Sequence, residues 1–533
     1  MKYDPLEYPF PSRRMMMYAK NGMVASSQPL AAQAGLSILR KGGNAVDAAV
    51  ATAASLTVLE PTSNGIGSDA FALVWANGEL RGLNSSGPAP ENISIEAVKN
   101  EGHEEMPKFG WTPVTVPGAP NAWIELSEEF GKLPFREVLQ PAIIYAEEGY
   151  PVSPILGKYW KRAFEIYRTL EGKEFTYWFD TFAPNGKPPE IGGIWRSHAH
   201  AETLRSIART KAESFYTGAL ADAIAEFSKK HGGYLTKKDL ETFSPEWVEP
   251  MNVRYRGYDV WELPPNGQGL IALMALNILK EFEFSAKNTV ETYHTQIEAL
   301  KLAFADGKKY ITDPDYMHIG PDNLLSEEYA AERREYICSE AIDPSPGEPQ
   351  GGETVYLAVA DSEGNMVSYI QSNYMGFGSG LVVPKTGIAL QNRGHTFSLN
   401  PEDANGLEPG KRTYHTIIPG FLSKDNEPVG PFGVMGGYMQ PQGHLQVISN
   451  VLDFNLNPQA ALDAPRWRWN RDRSISLEHG VPTHIAKALS RRGHDVSWAL
   501  ESGGFGRGQI IWKVGDVLAG GTEPRTDGTI ASW

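Results

Sequence analysis

An α+β fold, layered around a mainly antiparallel sheet, is what the sequence predicts, on three observations. Up to about residue 340, apolar positions recur mostly at helical spacing. The stretch Asp343-Pro344-Ser345-Pro346-Gly347-Glu348-Pro349-Gln350-Gly351-Gly352 holds no packing residue and reads as an exposed linker. Beyond it, apolar strand-like runs alternate with turns.

The elements follow in order. A short apolar stretch, Gly22-Met23-Val24-Ala25, precedes a helix at Leu30–Leu39 that Ser26 or Ser27 could cap and Gly42-Gly43 would end. The alanine-rich run Asn44–Ala54 reads as a buried helix. Turn formers fill Glu60–Asp69, and strands follow at Ala70–Trp75 and Leu80–Asn84 about the turn Asn77-Gly78. Helices are predicted at Thr203–Ala212, from about Leu270, and at Val290–Ile311, with a strand-like stretch at Gly257–Leu263. After the linker come strands at Thr354–Ala360, Met366–Gln371, Thr416–Phe421, Pro431–Met435 and Gln509–Trp512. The Gly-rich run Gly376–Val383 is grouped with them. Helices are expected near Gly443–Asn450 and Pro458–Ala464.

Composition excludes several classes. With 13 Trp, 22 Tyr and 21 Phe in 533 residues, the chain has ample surface to bury, so wholesale disorder is out. The formal charge of -15 repels phosphate backbones and argues against nucleic acid as a partner. No run of about 18 apolar residues predicts a membrane span. The amino-terminal stretch has no apolar leader core, so a cytoplasmic location is the expectation. Cys338 is the one cysteine, which rules out an internal disulfide or a cysteine-based zinc site; it reads as an incidental small hydrophobe. His198 and His200 read as a solvated pair.

The informative chemistry lies at Glu353-Thr354. One interpretation is a loop entering a strand with Thr at its mouth. The other is self-cleavage, which would leave Thr354 with a free α-amine beside its own hydroxyl. An α-amine of pKa about 8 can act as base for that hydroxyl, so one residue supplies both attacker and proton acceptor. Glycines at 351 and 352 would permit the tight turn that cleavage requires.

Several further motifs stand in a fixed order: Gly42-Gly43-Asn44-Ala45-Val46-Asp47-Ala48-Ala49, Glu60-Pro61, Gly65-Ile66-Gly67, Val116-Pro117-Gly118, Pro264-Pro265-Asn266-Gly267-Gln268-Gly269, Ala305-Asp306 with Asp313-Pro314-Asp315, Gly436-Gly437, and Glu523-Pro524-Arg525-Thr526-Asp527-Gly528. Together they resemble the γ-glutamyltransferase (glutathione hydrolase) family of N-terminal-nucleophile hydrolases over essentially the whole chain. The resemblance implies an αββα four-layer sandwich. It also implies a proenzyme cut at Glu353–Thr354 into a large chain, 1–353, and a small chain, 354–533, which associate as one domain. Thr354 matches the nucleophile, Ser372 a hydroxyl that hydrogen-bonds it, and Gly436 and Gly437 the oxyanion-binding diglycine; a plain tight turn is the other interpretation of the two glycines. No metal or organic cofactor is implied. The partners are a small γ-glutamyl or acyl amide and a water or amine acceptor, with a homo-oligomer open.

The sequence departs from the family pattern around the substrate head. Ser86 stands where an arginine pairs with the substrate α-carboxylate, and Thr396 where an acidic residue binds the α-amine. The family's serine pair falls on Lys411-Arg412. Arg393 and Arg412 have entered the neighbourhood, beside Tyr374, and suit an anionic acyl head without an amine; the other interpretation is that they brace the sheet. The pattern resembles a divergent bacterial branch containing glutathione hydrolase-like proenzymes and cephalosporin-acylase-like enzymes. The expected activity is therefore γ-glutamyl hydrolysis or transfer, with an acylase for a dicarboxylic monoamide as the alternative.

Overall fold

Packing begins with two small-residue helices. The first, Pro29–Arg40, is capped by the Gln28 side chain, which accepts from Leu30 N, and not by Ser26 or Ser27. The second, Ala45–Leu59, carries an Asn44–Asp47 capping box and is buried along its whole length. Their backbones approach closely because Gly35 has no side chain: a Cβ there would meet Thr52 Oγ1 at 2.3 Å. This computed structural model describes residues 9, 10, 12, 14–344 and 353–533. Most of the expected linker, 345–352, lies outside the described residues.

Two seven-stranded antiparallel sheets stand among the described residues. The first runs in the order Thr529–Ser532, Gly22–Ser26, Glu353–Asp361, Met366–Tyr374, Asp69–Ala76, Glu79–Ser85, Glu246–Val248. The second runs Met17–Ala19, Val517–Thr522, Arg507–Val514, Glu427–Met435, Gly420–Lys424, Tyr258–Glu262, Met251–Tyr255. Both sheets mix strands from before and after residue 353, so neither part of the chain owns a sheet.

Alternation along each strand sorts the core into layers. In Glu353–Asp361, Val355, Leu357 and Val359 pack toward Ala45–Leu59, whereas Tyr356, Ala358 and Ala360 enter the layer between the sheets. Phe71, Leu73, Ile370, Phe421, Met435 and Ile511 fill the same middle layer. The helices Gly269–Leu279, Val290–Tyr310 and Met439–Leu452 cover the outer face of the second sheet. The result is helix, sheet, sheet, helix: the αββα sandwich that the resemblance implied.

Most expected elements occur, with shifted ends. Gly376–Val383 does not form a strand; it is a chain of turns with Gly376, Gly378 and Gly380 at positive φ and an isolated Val382–Ala389 bridge. The strand expected at Thr416–Phe421 begins later, at Gly420. His200 is buried, not solvated, and its Nδ1 meets Ser197 Oγ at 2.8 Å. Cys338 is exposed, where a small hydrophobe would be covered.

Candidate active site

Strand register builds the site. In the hairpin Glu353–Asp361/Met366–Tyr374, the pairing shifts between Glu353 and Val355, which leaves Thr354 at an irregularity of the ladder. Ser372 pairs on its other side with Asp69. Ser372 and Asp69 share strand parity with the residues that fill the middle layer, so both face between the sheets. Thr354 is fully buried.

The Thr354 hydroxyl donates to Ser372 Oγ at 3.0 Å. The Ser372 hydroxyl in turn donates to the carbonyl oxygen of Glu353 at 2.9 Å and accepts from Tyr374 N at 2.8 Å. A nucleophilic hydroxyl is thus linked through one serine to the carbonyl of the peptide bond that precedes it. Burial raises the pKa of the Glu353 carboxyl, against the opposing charges of Arg507 and Arg162.

Gly436 and Gly437 follow the strand Glu427–Met435 and precede the helix Met439–Leu452. Both have positive φ, +134° and +58°, and a Cβ at Gly436 would meet Gly506 Cα at 3.2 Å. Their N–H groups have no acceptor among the described residues. The turn is held by Gln268 Nε2, which donates to the carbonyls of Gly437 at 2.9 Å and Thr416 at 2.6 Å.

Arg393 is the dominant charge beside this machinery. It is 0% exposed, and Nη1 donates to Thr416 Oγ1 at 2.7 Å. Nε stands 3.7 Å from Asp69 Oδ2, and neither Nε nor Nη2 has a hydrogen-bond partner. Burial draws its pKa down to about 10, with Asp69 opposing. Asp69 is pushed up to about 7 by burial, which Arg393 counters only in part. His415 Nε2 meets Asp69 Oδ2 at 3.0 Å, and burial with the Arg393 charge holds the imidazole neutral, well below its ordinary pKa.

A cavity of about 550 Å³ opens alongside, lined by Tyr374, Tyr438, His395, Thr396, Glu104 and Glu105 among others. That volume suits a small organic ligand. Thr396 lies on its wall, but the hydroxyl is engaged with Arg393 O, Thr413 Oγ1 and Tyr414 O at 2.8, 2.8 and 3.0 Å.

Two expectations need correction. The Arg412 guanidinium is closed on protein: Nη1 and Nη2 grip the Glu246 carboxylate at 2.7 and 2.8 Å, and Nε donates to Ser86 O at 3.0 Å. It braces strands and offers no free fork to a substrate. Ser86 is buried, its hydroxyl donating to Asn84 Oδ1 at 2.8 Å and accepting from Asn266 Nδ2 at 3.2 Å, and it does not line the cavity. The residues that do surround Arg393 include His415 and Thr416, a few positions beyond the Lys411-Arg412 pair singled out from the sequence. Tyr438, directly after the diglycine, was also missed; its position next to Gly437 was the available signal. Glu104 and Glu105 supply the cavity wall with carboxylates that no motif announced.

Elsewhere, His294, Glu298 and His494 converge in the interior. His294 Nδ1 meets His494 Nε2 at 2.9 Å, and Glu298 Oε1 accepts from Lys301 Nζ at 2.8 Å, while the buried His494 Nδ1 has no hydrogen-bond partner. Glu298 also accepts from Ile342 N at 3.0 Å, and His294 Nε2 meets Cys338 O at 2.8 Å, so the group anchors segment 338–342.

A strand-borne threonine between two sheets of an αββα sandwich defines the class: an N-terminal-nucleophile hydrolase. Residues 31–533 match the Gamma-glutamyltranspeptidase family model, and the chain belongs to that family. It is 64% identical to a cephalosporin acylase of Bacillus halodurans of known structure, with a TM-score of 0.96, covering 100% of this chain and 99% of that one. The glutathione hydrolase-like YwrD proenzyme of Bacillus subtilis is 37% identical over 95% of this chain and 97% of its own. The oxamate amidohydrolase proenzyme of Klebsiella pneumoniae is 33% identical over 96% of this chain and 98% of its own. The protein is thus an enzyme of the hydrolase and transferase type found in this family.

Proposed function

We propose that the protein is a self-processing threonine amidohydrolase whose acyl donor carries a terminal carboxylate. The observation that carries the proposal is the hydroxyl relay from Thr354 through Ser372 to the Glu353 carbonyl. In the intact chain, Thr354 Oγ attacks the Glu353 carbonyl carbon while the Ser372 hydroxyl polarises the carbonyl oxygen. The C–N bond breaks, an ester to Thr354 Oγ forms, and the nitrogen becomes a free α-amine. Water hydrolyses the ester and leaves Glu353 as a carboxyl terminus.

In the mature enzyme the α-amine takes the Thr354 hydroxyl proton as Oγ attacks a substrate amide. Gly436 and Gly437 offer N–H groups to the tetrahedral oxyanion, an interaction worth about 3–4 kcal/mol per donor in comparable sites. The amine then protonates the leaving nitrogen, and water or an amine releases the acyl group. Arg393 supports the choice of acyl head: a buried guanidinium with two unpartnered nitrogens is completed by a carboxylate. The 64% identity to a cephalosporin acylase supports an acylase reading as well.

γ-Glutamyl transfer or hydrolysis is the second reading. Glu104 and Glu105 on the cavity wall favour it, since either could take the substrate ammonium. Parallel assays with a glutaryl and a γ-glutamyl anilide separate the two. Faster turnover of the glutaryl compound supports the carboxylate-only head; the reverse supports the glutamyl head.

A further inference from the structure

Two short segments serve the two ends of the acyl donor. Residues 414–418 carry Thr416, whose Oγ1 accepts from Arg393 Nη1 at 2.7 Å, and His415, whose Nε2 meets Asp69 Oδ2 at 3.0 Å. Residues 436–440 carry the oxyanion glycines and open the helix Met439–Leu452. Side chains, not a strand ladder, join the two segments. The first is Gln268, which is 0% exposed. Its Nε2 donates to Thr416 O at 2.6 Å and to Gly437 O at 2.9 Å, and its Oε1 accepts from the Tyr414 hydroxyl at 2.8 Å. Its backbone N–H donates to His415 O at 2.9 Å. The second is Gln440, whose Oε1 accepts from Ile418 N at 2.9 Å.

The chemistry of the amide suits this place. Carbonyl oxygens only accept, so the Gln268 nitrogen must face Thr416 and Gly437 and its oxygen the phenol. A carboxylate of the same shape would set an oxygen against both carbonyls. The bond to Gly437 also bears on the direction of the oxyanion donors. The Gly436 carbonyl and the Gly437 N–H belong to one planar peptide and point opposite ways, so holding the first aims the second. Met439 N holds that carbonyl at 3.1 Å. The next peptide is held at the Gly437 carbonyl, by Gln440 N at 3.1 Å and by Gln268. Both peptides that flank Gly437 are thereby fixed, and Gln268 ties one of them to the segment on which Arg393 rests.

We propose that Gln268 is a positioning residue that sets the register between the acyl-head site at Arg393 and the oxyanion turn at Gly436-Gly437, so that a donor anchored by its terminal carboxylate presents its scissile carbonyl to the glycine N–H groups. This rests on the assignment of Arg393 as the carboxylate site. Such a donor is tied at both ends and cannot adjust when the ends shift against each other. A misplacement of about 1 Å can cost about 10² in rate. A donor without the carboxylate is tied only at its carbonyl and follows the turn.

The test compares the processed wild-type enzyme with Gln268→Met, Gln268→Glu and Arg393→Lys. The probes are glutaryl and valeryl p-nitroanilide, which have equal chain length and differ in the terminal carboxylate. Gln268→Met keeps the volume and removes the side-chain bonds; Gln268→Glu keeps the shape and the acceptor for Tyr414 but loses both donations. In each, the glutaryl kcat should fall about 10–100-fold, the valeryl kcat should fall less, and the glutaryl KM should change far less than its kcat. An unchanged glutaryl kcat overturns the proposal. So does a fractional loss for valeryl as large as that for glutaryl, which is what general loosening of the fold would produce. Arg393→Lys should raise the glutaryl KM and leave the valeryl KM in place. If it does not, the carboxylate site itself is wrong; if it does while both substrates lose kcat equally in the Gln268 variants, only the register is wrong. Should neither Gln268 variant mature, Gln440→Met cuts the other tie between the segments: the same split between substrates supports the proposal, and an equal loss or none overturns it.

Discussion

Replacing Ser372 by alanine should cripple maturation, and the structure gives the size of the effect. The hydroxyl donates to the Glu353 carbonyl at 2.9 Å, receives the Thr354 hydroxyl at 3.0 Å and accepts Tyr374 N–H at 2.8 Å. The first of these bonds points at the oxygen that becomes an oxyanion when Thr354 attacks. Loss of one such donor costs roughly 10²–10³ in rate. The other two losses act on the ground state: the stranded Tyr374 N–H costs about 1–3 kcal/mol of stability, and the nucleophile loses the group that orients it. Ser372→Thr restores a hydroxyl at the same place and should recover most of the rate. Denaturing gels over time, with amino-terminal sequencing of the small product, follow the conversion of the whole chain into 1–353 and 354–533. Maturation of Ser372→Ala at the wild-type rate would refute the relay.

Four further outcomes are expected. Thr354→Ala should leave a single uncut chain without turnover, checked on the same gels and with an anilide substrate. The glutaryl KM should rise as pH increases through about 7, because Asp69, neutral below that point and anionic above it, then competes with the substrate for Arg393; Asp69→Asn should flatten the KM–pH profile. Glu523→Ala should destabilise the fold by about 3–5 kcal/mol, since it leaves the buried Arg466, which grips that carboxylate at 2.8 Å, without a carboxylate partner; Arg525 loses a contact of 2.6 Å but keeps Glu478. Burial pushes the Glu523 pKa up, but the two arginines hold it below its ordinary value; its contribution is therefore present above the unfolded pKa and fades as pH falls through the folded one, so the difference in thermal midpoint should shrink in acid. Asn44→Ala should cost about 1 kcal/mol by removing the cap of the buried helix Ala45–Leu59, read as a lowered denaturant midpoint.

Thr354 stood out in the sequence at the mouth of an apolar strand, and Ser372 only through the family resemblance; what sets the two side by side is local. The strands Glu353–Asp361 and Met366–Tyr374 form one hairpin, and its register brings Thr354 and Ser372, eighteen residues apart, together. The alanine run was readable for a related reason: a fifteen-residue helix with no polar face has to be buried. Arg412 was left between a substrate role and a bracing one because a cation near the right motif carries no sign of its partner; Glu246, far away in sequence, arrives on an edge strand and closes the fork. Cys338 was misjudged because its neighbours say nothing about which face of the segment meets solvent.

The chain by itself determined the layered α+β class, the order of most helices and strands, the threonine at the mouth of a strand and the glycines that permit positive φ. Those properties follow from short-range spacing and backbone sterics, which a linear pattern records. Tertiary structure alone decided which arginine keeps nitrogens without hydrogen-bond partners, and that Asp69, His415 and Thr416 surround it. Those facts depend on residues that are distant in sequence and brought together by sheet register and sheet stacking, and the pairing of a buried charge is settled only when every group packed around it is in place.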